Sequence, residues 1–217
     1  MKKNLRKIAA LVSASVMYAV PMLNNYSASA ITQYKTYVIY NNYVKKSGSD
    51  MAYFNYTFSY VSGVTAEKST ATSLCSGGYF RSNNDTDSRE VQCIYLGDPI
   101  TKTGALASTK FIVPMSTQDV LHVVNYSDVV IRDVNNKLLS TDNIELETIL
   151  LGDVNLDGKV TEEDAILIMR SVGNPDTYKL DEKQQIAADV YERGTSGITN
   201  QDALEIQRYI IGQISHF

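Results

Sequence analysis

A repeat with a period of 38 residues constrains the last third of this chain more than any other feature. The nine residues 164–172 (DAILIMRSV) align with residues 202–210 (DALEIQRYI), and both copies have Asp first, Ala second, Ile fifth and Arg seventh. A polar, glycine-containing loop precedes each copy. An internal repeat of this kind indicates one supersecondary unit used twice, so we expect two loop–helix units. Between them, residues 180–188 predict a short connecting helix.

The loop before the first copy has the donor spacing of a calcium site. Calcium takes six to eight oxygen ligands, and a twelve-residue loop supplies them from positions 1, 3, 5, 7, 9 and 12 with glycine at position 6. Residues 153–164 match this pattern, with Gly158 at the turn. The alternative is a solvated acidic turn that caps the following helix. The predicted ligands are Asp153, Asn155, Asp157, the Lys159 carbonyl, Thr161 and Asp164.

The loop before the second copy is less regular. Its first and last carboxylates, Asp189 and Asp202, are 13 residues apart instead of 11, so the loop carries two extra residues. Arg193 is a poor neighbour for a cation. The predicted oxygen donors are Asp189, Glu192, Thr195, Thr199 and Asp202. We therefore expect two calcium ions, the second in a reshaped loop, with a weak or empty second site as the alternative.

The region from residue 31 to about residue 150 has the pattern of an all-β fold. In 51–60, Ala52, Phe54, Tyr56, Phe58 and Tyr60 alternate with polar residues and Tyr53, which is the period of a half-buried strand. Short strands at this spacing predict an antiparallel sandwich of the immunoglobulin or cohesin kind. The other predicted strands are residues 35–40, 91–95, 106–113, 120–124, 129–134 and 144–150, and residues 82–87 are a predicted exposed loop.

The first thirty residues have the three parts of a secretory signal peptide, with a membrane anchor as the weaker alternative. These parts are the basic Lys2, Lys3, Arg6 and Lys7, the apolar residues 8–23, and the cleavage site Ala28-Ser29-Ala30. Removal of residues 1–30 takes away four positive charges and changes the net charge from −4 to −8. For Cys75 and Cys93, an exported protein favours one disulfide, and two thiols in a reducing habitat are the alternative.

The two loop–helix units resemble the type I-like dockerins of cellulosomes over about 65 residues of the chain. The resemblance implies two F-hand units, each a calcium loop followed by a helix without the entering helix of an EF-hand, in a small all-α domain over residues 151–217. It also implies binding to a cohesin domain of a scaffoldin. The implied contact residues are Glu162, Glu163, Met169 and Arg170 in the first repeat and Asn200, Gln201, Gln207 and Arg208 in the second. Because the two faces differ, we expect one preferred binding orientation.

Two segments of the β-region, residues 37–60 and 99–114, are similar to parts of a cohesin. The similarity implies that residues 31–150 are a cohesin-like sandwich and that the protein is an adaptor scaffoldin, which could bind a dockerin in turn. The expected location is extracellular, on the cell surface through a scaffoldin complex. Nucleic acid is not an expected partner because basic residues cluster only at the extreme N-terminus, and no segment after residue 30 predicts a membrane span.

Two other functions remain open for the N-terminal region. A carbohydrate-binding module would need an exposed aromatic strip, and tyrosines can supply it although Trp is absent. A small glycoside hydrolase would need two carboxylates across a sugar cleft. The acidic residues in 85–98 read as a solvated loop, and His122 and His216 complete no catalytic set. We therefore expect a protein that is not an enzyme. The tyrosines in question are Tyr37, Tyr40, Tyr43, Tyr53, Tyr56 and Tyr60.

Overall fold

The computed structural model describes residues 31–46, 50–75, 77–83, 87–94 and 98–217. The predicted signal peptide lies outside these residues, as does Tyr95 at the end of a predicted strand. Residues Thr32–Phe217 form one compact unit. No helix among the described residues is long and apolar enough to cross a membrane.

Among the described residues, nine antiparallel strands form two sheets, which confirms the predicted sandwich. The strands are β1 (Tyr34–Tyr43), β2 (Met51–Tyr60), β3 (Thr65–Ala66), β4 (Thr70–Ala71), β5 (Tyr79–Ser82), β6 (Ser88–Ile94), β7 (Gly104–Pro114), β8 (Val124–Asp133) and β9 (Ile144–Leu150). In the first sheet the order is β3-β7-β1-β9, with β4 also paired to β7, and in the second sheet it is β5-β6-β2-β8.

The sandwich core forms because alternate residues of each strand face the opposite sheet. In β2, Phe54, Tyr56 and Phe58 are at most 1% exposed, and the residues between them are half-buried on the outer face. Phe58 packs edge-to-face on Phe111 of β7, with ring centroids 5.2 Å apart, and so joins the two sheets. The alternation predicted for residues 51–60 is therefore confirmed.

The prediction of a strand over residues 120–124 is wrong. Val120–His122 is a 3-10 turn, and only Val124 begins a strand. The Asp119 side chain accepts a hydrogen bond from the Leu121 backbone N–H at 2.9 Å, so a local cap replaces sheet pairing. The short strands β3, β4 and β5 were not predicted.

In the part of the chain that the structure describes, three helices follow the sandwich. They are α1 (Glu162–Gly173), α2 (Glu182–Ala188) and α3 (Asn200–Ile210), which confirms the two repeat helices and the connecting helix. Their N-cap residues are Thr161, Asp181 and Thr199, and each helix begins with a capping box. The apolar face of each helix packs into a second small core around Ile168 and Ile206, both fully buried.

The helical region covers the outer face of the first sheet. Val38 on β1 and Ile149 on β9 are cross-strand neighbours and are only 2% and 3% exposed, although neither belongs to the sandwich core. Lys183 of α2 forms an ion pair with Glu147 of β9 at 2.7 Å, and the Gly152 N–H donates to the Ala187 carbonyl at 2.8 Å. Among the described residues, the strands of the second sheet make no extensive contact with the helices.

Cys75 and Cys93 are both buried in the sandwich core, and no disulfide joins them in the structure. The disulfide favoured from the sequence is therefore not seen in this structure, and both residues have interaction partners.

Candidate metal-binding and docking site

The last carboxylate of each loop ties the loop to the helix that follows. Asp164 Oδ1 accepts hydrogen bonds from the backbone N–H groups of Val154 and Asn155 at 2.8 and 2.9 Å. Its Oδ2 accepts from the backbone N–H and the hydroxyl of Thr161 at 2.8 and 3.3 Å. A carboxylate has about four lone-pair directions, so protein donors already occupy those of Asp164. In this conformation Asp164 closes the loop, and it would have to release a donor to bind a cation.

Asp202 repeats this arrangement 38 residues later. Its Oδ1 accepts from the Val190 and Tyr191 N–H groups, both at 2.9 Å, and its Oδ2 accepts from the Thr199 N–H and hydroxyl at 2.7 and 3.1 Å. Both carboxylates are fully buried. The repeat seen in the sequence is thus a repeat of hydrogen-bond geometry, and Thr161 and Thr199 occupy equivalent N-cap positions.

The first carboxylate of the first loop retains free acceptor capacity. Asp153 is 4% exposed, and its two oxygens each accept one backbone hydrogen bond, from Asp157 at 3.0 Å and from Gly158 at 2.8 Å. Burial raises the pKa of the Asp153 carboxyl, these two N–H groups lower it, and the charges of Asp164 and Asp157 raise it again. Without a cation, the loop therefore holds partly uncompensated negative charge, which a cation would neutralise.

The middle of the first loop holds more oxygen donors in a tight turn. Asn155 Oδ1 accepts from the Asp157 N–H at 3.0 Å, and Asp157 Oδ1 accepts from the Lys159 N–H at 2.9 Å. Leu156 and Gly158 have φ values of 62° and 86°, in the left-handed region that turns the chain back on itself. The loop's own N–H groups therefore orient the side chains of residues 153, 155 and 157. Each accepting oxygen still keeps a lone pair for a cation.

The first six residues of the second loop follow the first loop closely. Glu192 and Gly194 have φ values of 43° and 78°, matching Leu156 and Gly158, and the Gly194 N–H donates to Asp189 Oδ2 at 2.9 Å. The two inserted residues therefore lie after Gly194. This alignment places Glu192 at the fourth loop position, which is not a ligand position in the first loop.

The predicted donors of the second loop are only partly brought together. Glu192 lies beside Tyr191, and its charge and hydrogen bond raise the pKa of that phenol. The Thr195 hydroxyl donates to the Glu192 carbonyl. In contrast, Asp189 Oδ1 is buried and has no hydrogen-bond donor among the described residues. A buried carboxylate oxygen without a donor is costly, and a bound cation would satisfy it.

Arg193 occupies the fifth loop position, where the first loop has Asp157, but none of its recorded contacts is with Asp189. Its guanidinium donates to the Tyr40 hydroxyl of β1 at 3.1 Å. A cleft of about 780 Å³ lies between the first sheet and this loop, lined on one side by Tyr40 and Lys110 and on the other by Asp189 and Arg193. No local sequence pattern indicates that this arginine contacts the sandwich, because Arg193 and Tyr40 are 153 positions apart.

The donor set of the first loop has the chemistry of a calcium site. Its donors are carboxylate, amide, hydroxyl and carbonyl oxygens, the hard ligands that calcium prefers. Among the described residues, no group of three or more His, Cys, Asp or Glu side chains is arranged to hold a metal by itself. A site here must therefore use mixed donors, including Asn155 and the Lys159 carbonyl.

The predicted contact residues lie on exposed helix faces. In α1, Glu162, Glu163, Met169 and Arg170 are all exposed, and Ile166 beside them is 40% exposed. The Arg170 guanidinium lies 5.8 Å from the centre of the Tyr178 ring. The first repeat thus presents an apolar centre with acidic residues at the helix N-terminus and a basic residue near its end.

The equivalent face of α3 is exposed at Asn200, Gln201 and Gln207 but differs at its C-terminal end. Arg208 is half-buried and forms an ion pair with Glu205 at 2.8 Å. Tyr209 is 4% exposed, and its hydroxyl donates to the Tyr34 carbonyl of β1 at 2.9 Å. The sandwich therefore holds the end of the second repeat helix and leaves the first repeat helix free.

Residues 151–211 match the model of the family described as the dockerin type I domain. The C-terminal dockerin segment is thus similar to the type I dockerin family, as the two loop–helix units predict. A xylanase/beta-glucanase of Ruminococcus flavefaciens is 42% identical over 72 residues, which are 30% of this chain and 9% of that protein. The match covers the dockerin region, so it is a similarity of dockerins.

Two solved cohesin structures have a similar arrangement of strands over about half of this chain. One is a non-cellulosomal cohesin of Archaeoglobus fulgidus, with a TM-score of 0.39 and 14% identity over 51% of this chain and 76% of its own. The other is the cohesin module of a Clostridium perfringens family 33 glycoside hydrolase, with a TM-score of 0.39 and 9% identity over 55% of this chain and 96% of its own. At these TM-scores neither similarity assigns a partner to the sandwich that precedes the dockerin.

Proposed function

We propose that this protein is a secreted, non-catalytic component of a polysaccharide-degrading complex. In this proposal residues 1–30 are a signal peptide, residues 31–150 are a β-sandwich that binds a protein partner, and residues 151–217 are the dockerin that binds a cohesin. The observation that carries the proposal is the pair of loop–helix units, because the carboxylates of Asp164 and Asp202 make the same four hydrogen bonds in each. Two such units present two helix faces to which one partner can bind.

The dockerin is proposed to bind calcium, as type I dockerins do. The first ion would be held by Asp153, Asn155, Asp157 and the Lys159 carbonyl, with Thr161 through water and Asp164 after release of a donor. The second would be held by the free Oδ1 of Asp189 and by backbone carbonyls of the reshaped loop, with Asp202 in the role of Asp164. Bound calcium would supply the positive charge that the buried carboxylates of each loop lack.

Calorimetric titration of residues 31–217 with calcium tests this assignment. Replacing the carboxylate at the fifth loop position, Asp157→Asn, removes charge but keeps the shape, and we expect a loss of tenfold or more in affinity at one site. Asp176→Asn is the matched control, because Asp176 is exposed between the helices. Equal affinities for the two variants would show that the first loop does not hold the ion.

The first repeat is proposed to be the preferred contact for the cohesin. All four of its predicted contact side chains are exposed, whereas Arg208 in the second repeat is paired and Tyr209 beside it is bound to the sandwich. Exchanging the residues between repeats tests this: Glu162→Asn with Glu163→Gln is expected to weaken cohesin binding. The reciprocal exchange in α3 leaves it nearly unchanged. Equal losses from both exchanges would mean that both orientations are used.

The outer face of the second sheet is proposed to bind a protein, in the manner of an adaptor. One row across this face consists of Tyr79, Ile94, Tyr53 and Arg132 on neighbouring strands, and Tyr79 is 60% exposed. The next rows carry amide, hydroxyl and charged side chains. Aromatic residues and arginine are enriched in protein interfaces, and here they lie together in a row at one end of the second sheet. A dockerin is the proposed partner.

The arrangement of the tyrosines disfavours the carbohydrate-binding alternative. Four of the six tyrosines considered for a sugar-stacking strip are buried in the core. The other two, Tyr40 and Tyr53, lie on different sheets. A row of three coplanar rings therefore cannot form from this set. The buried four are Tyr37, Tyr43, Tyr56 and Tyr60.

Titration of the whole chain, in calcium, against a panel of dockerins and against soluble β-glucan and xylan oligosaccharides distinguishes these functions. We expect binding of a dockerin, weakened by Tyr53→Ala and unchanged by Val172→Ala on the exposed helix α1. Binding of sugars alone would contradict the adaptor role and make this a dockerin-tethered carbohydrate-binding subunit. Release of sugar from the polysaccharides would contradict the non-catalytic assignment.

A further inference from the structure

The segment Ser215–Phe217, which follows α3, runs back along strand β1 of the sandwich. The Tyr34 N–H donates to the Ser215 carbonyl at 2.8 Å. The Thr36 hydroxyl lies between the N–H and the carbonyl of Phe217, at 3.3 and 3.5 Å. Lys110 of β7 donates to the same carbonyl at 3.4 Å. The segment is therefore bonded to the sandwich through its backbone.

The side chain of Phe217 points instead toward the dockerin. Its ring packs against Tyr209, with centroids 4.7 Å apart and planes tilted by 36°. The ring also lies against the backbone of Gly152, because a Cβ atom added there would be 2.6 Å from it and 3.0 Å from Val160. Gly152 immediately precedes the first ligand of the first calcium loop, and Val160 is the eighth residue of that loop. Phe217 thus lies against the start of the loop, at the point that Val160 also approaches.

Val160 connects the two hydrophobic cores. It is half-buried and packs against the sandwich core as well as against the core of the dockerin. A change in the shape of the first loop would move Val160 and Gly152 together and would alter the surface on which Phe217 rests. Movement of Phe217 would in turn disturb its hydrogen bonds to Thr36.

We propose that the segment Ser215–Phe217 couples the first calcium loop to the β-sandwich, so that calcium binding and the packing of the dockerin on the sandwich stabilise each other. Coupling between two equilibria is reciprocal: if calcium tightens the packing by some factor, then intact packing tightens calcium binding by the same factor. The proposal rests on the proposed binding of calcium by the first loop.

The sharpest test changes a sandwich residue and measures calcium affinity. Thr36→Val keeps the shape of a fully buried residue but removes its hydrogen bonds to Phe217, and the side chain of Thr36 has no recorded contact with the calcium loop. We expect calcium affinity at the first site, measured calorimetrically on residues 31–217, to fall about fivefold or more. Thr57→Val on the second sheet is the matched control and should leave the affinity unchanged. Phe217→Ala should lower it further.

A second measurement follows the sandwich directly. Trp is absent and most tyrosines precede residue 150, so near-ultraviolet circular dichroism reports mainly on the sandwich, while the helical signal comes from the dockerin. In the wild type, we expect calcium to raise the unfolding temperature that each of the two signals reports. In Phe217→Leu, we expect calcium to raise only the unfolding temperature that the helical signal reports. A first-site affinity unaffected by Thr36→Val and Phe217→Ala would overturn the coupling. Absence of calcium binding by the wild type would overturn the proposed calcium function as well.

Discussion

Replacing Gly152 with alanine is expected to destabilise the protein in two separable ways. Gly152 has a φ of 85°, and an L residue with a Cβ in the left-handed region costs about 1–2 kcal/mol. The added Cβ would also lie 2.6 Å from the Phe217 ring, and overpacking of this kind costs about 1–3 kcal/mol. The total expected loss in the free energy of unfolding is therefore about 2–5 kcal/mol.

Gly212→Ala separates the two contributions. Gly212 also has a positive φ, 72°, but a Cβ there would meet nothing within 4 Å. This variant therefore loses only the free energy of unfolding that the left-handed backbone conformation costs. Urea unfolding of residues 31–217 with saturating calcium measures both. We expect Gly152→Ala to lose about 1–3 kcal/mol more than Gly212→Ala.

A double-mutant cycle then identifies the atom responsible for the excess. With Phe217→Ala in the background, the ring that meets the new Cβ is gone and only Val160, at 3.0 Å, has to shift slightly, so Gly152→Ala should lose little more than the backbone cost. The interaction energy of the cycle should then equal the clash, about 1–3 kcal/mol. Equal losses for Gly152→Ala and Gly212→Ala, or an additive cycle, would refute the packing of Phe217 on the loop.

Three further outcomes are expected. Tyr40→Phe and Arg193→Ala should lower stability by about 0.5–1.5 kcal/mol each and be non-additive in a cycle, because they remove one shared hydrogen bond; additive losses would contradict the contact. Burial raises the pKa of Tyr209 to about 12 from an ordinary value of 10.0, so its contribution to stability is complete below pH 10.0 and is lost as the pH rises through about 12. Tyr209→Phe should therefore reduce the alkaline loss of stability, measured by unfolding between pH 9 and 11, and an unchanged profile would contradict this. Lys183→Ala should cost at most about 1 kcal/mol at low salt and less at high salt, because its partner Glu147 is near the surface; a large, salt-independent loss would contradict a simple surface pair.

The elements that could be predicted are those with a local pattern. Alternation of apolar and polar residues gave β2 its bounds, and Ile144–Leu150 was predicted in the same way. The two-residue strands β3 and β4 have too few residues for a period to be visible. The run at Val120–Val124 has strand composition, but the side chain of Asp119 competes successfully for its backbone.

In the candidate site, too, the features that depend on local spacing could be predicted and those that depend on the fold could not. Spacing alone brought Asp153, Asn155 and Asp157 into one loop, because a loop of fixed length determines which side chains can converge. It could not predict that the two inserted residues of the second loop follow Gly194, since that depends on which backbone groups Asp189 binds. Nor could the spacing predict that the Asp164 carboxylate already accepts four hydrogen bonds from the protein, because the fold brings those donors to Asp164.

The antiparallel sandwich, the two loop–helix units and the oxygen-rich donor set could be predicted from the sequence, because each depends on residues close together in the chain. Three contacts became visible only in the folded protein: the dockerin covers the first sheet at Val38, Arg193 binds Tyr40, and Phe217 lies between the sandwich and the first loop. Arg193 and Tyr40 are 153 positions apart and Phe217 and Thr36 are 181 apart, and no periodicity in a single sequence specifies such pairs. They form because Val38 and Ile149 on the outer face of the first sheet and the apolar residues of the dockerin bury surface that neither part could bury alone.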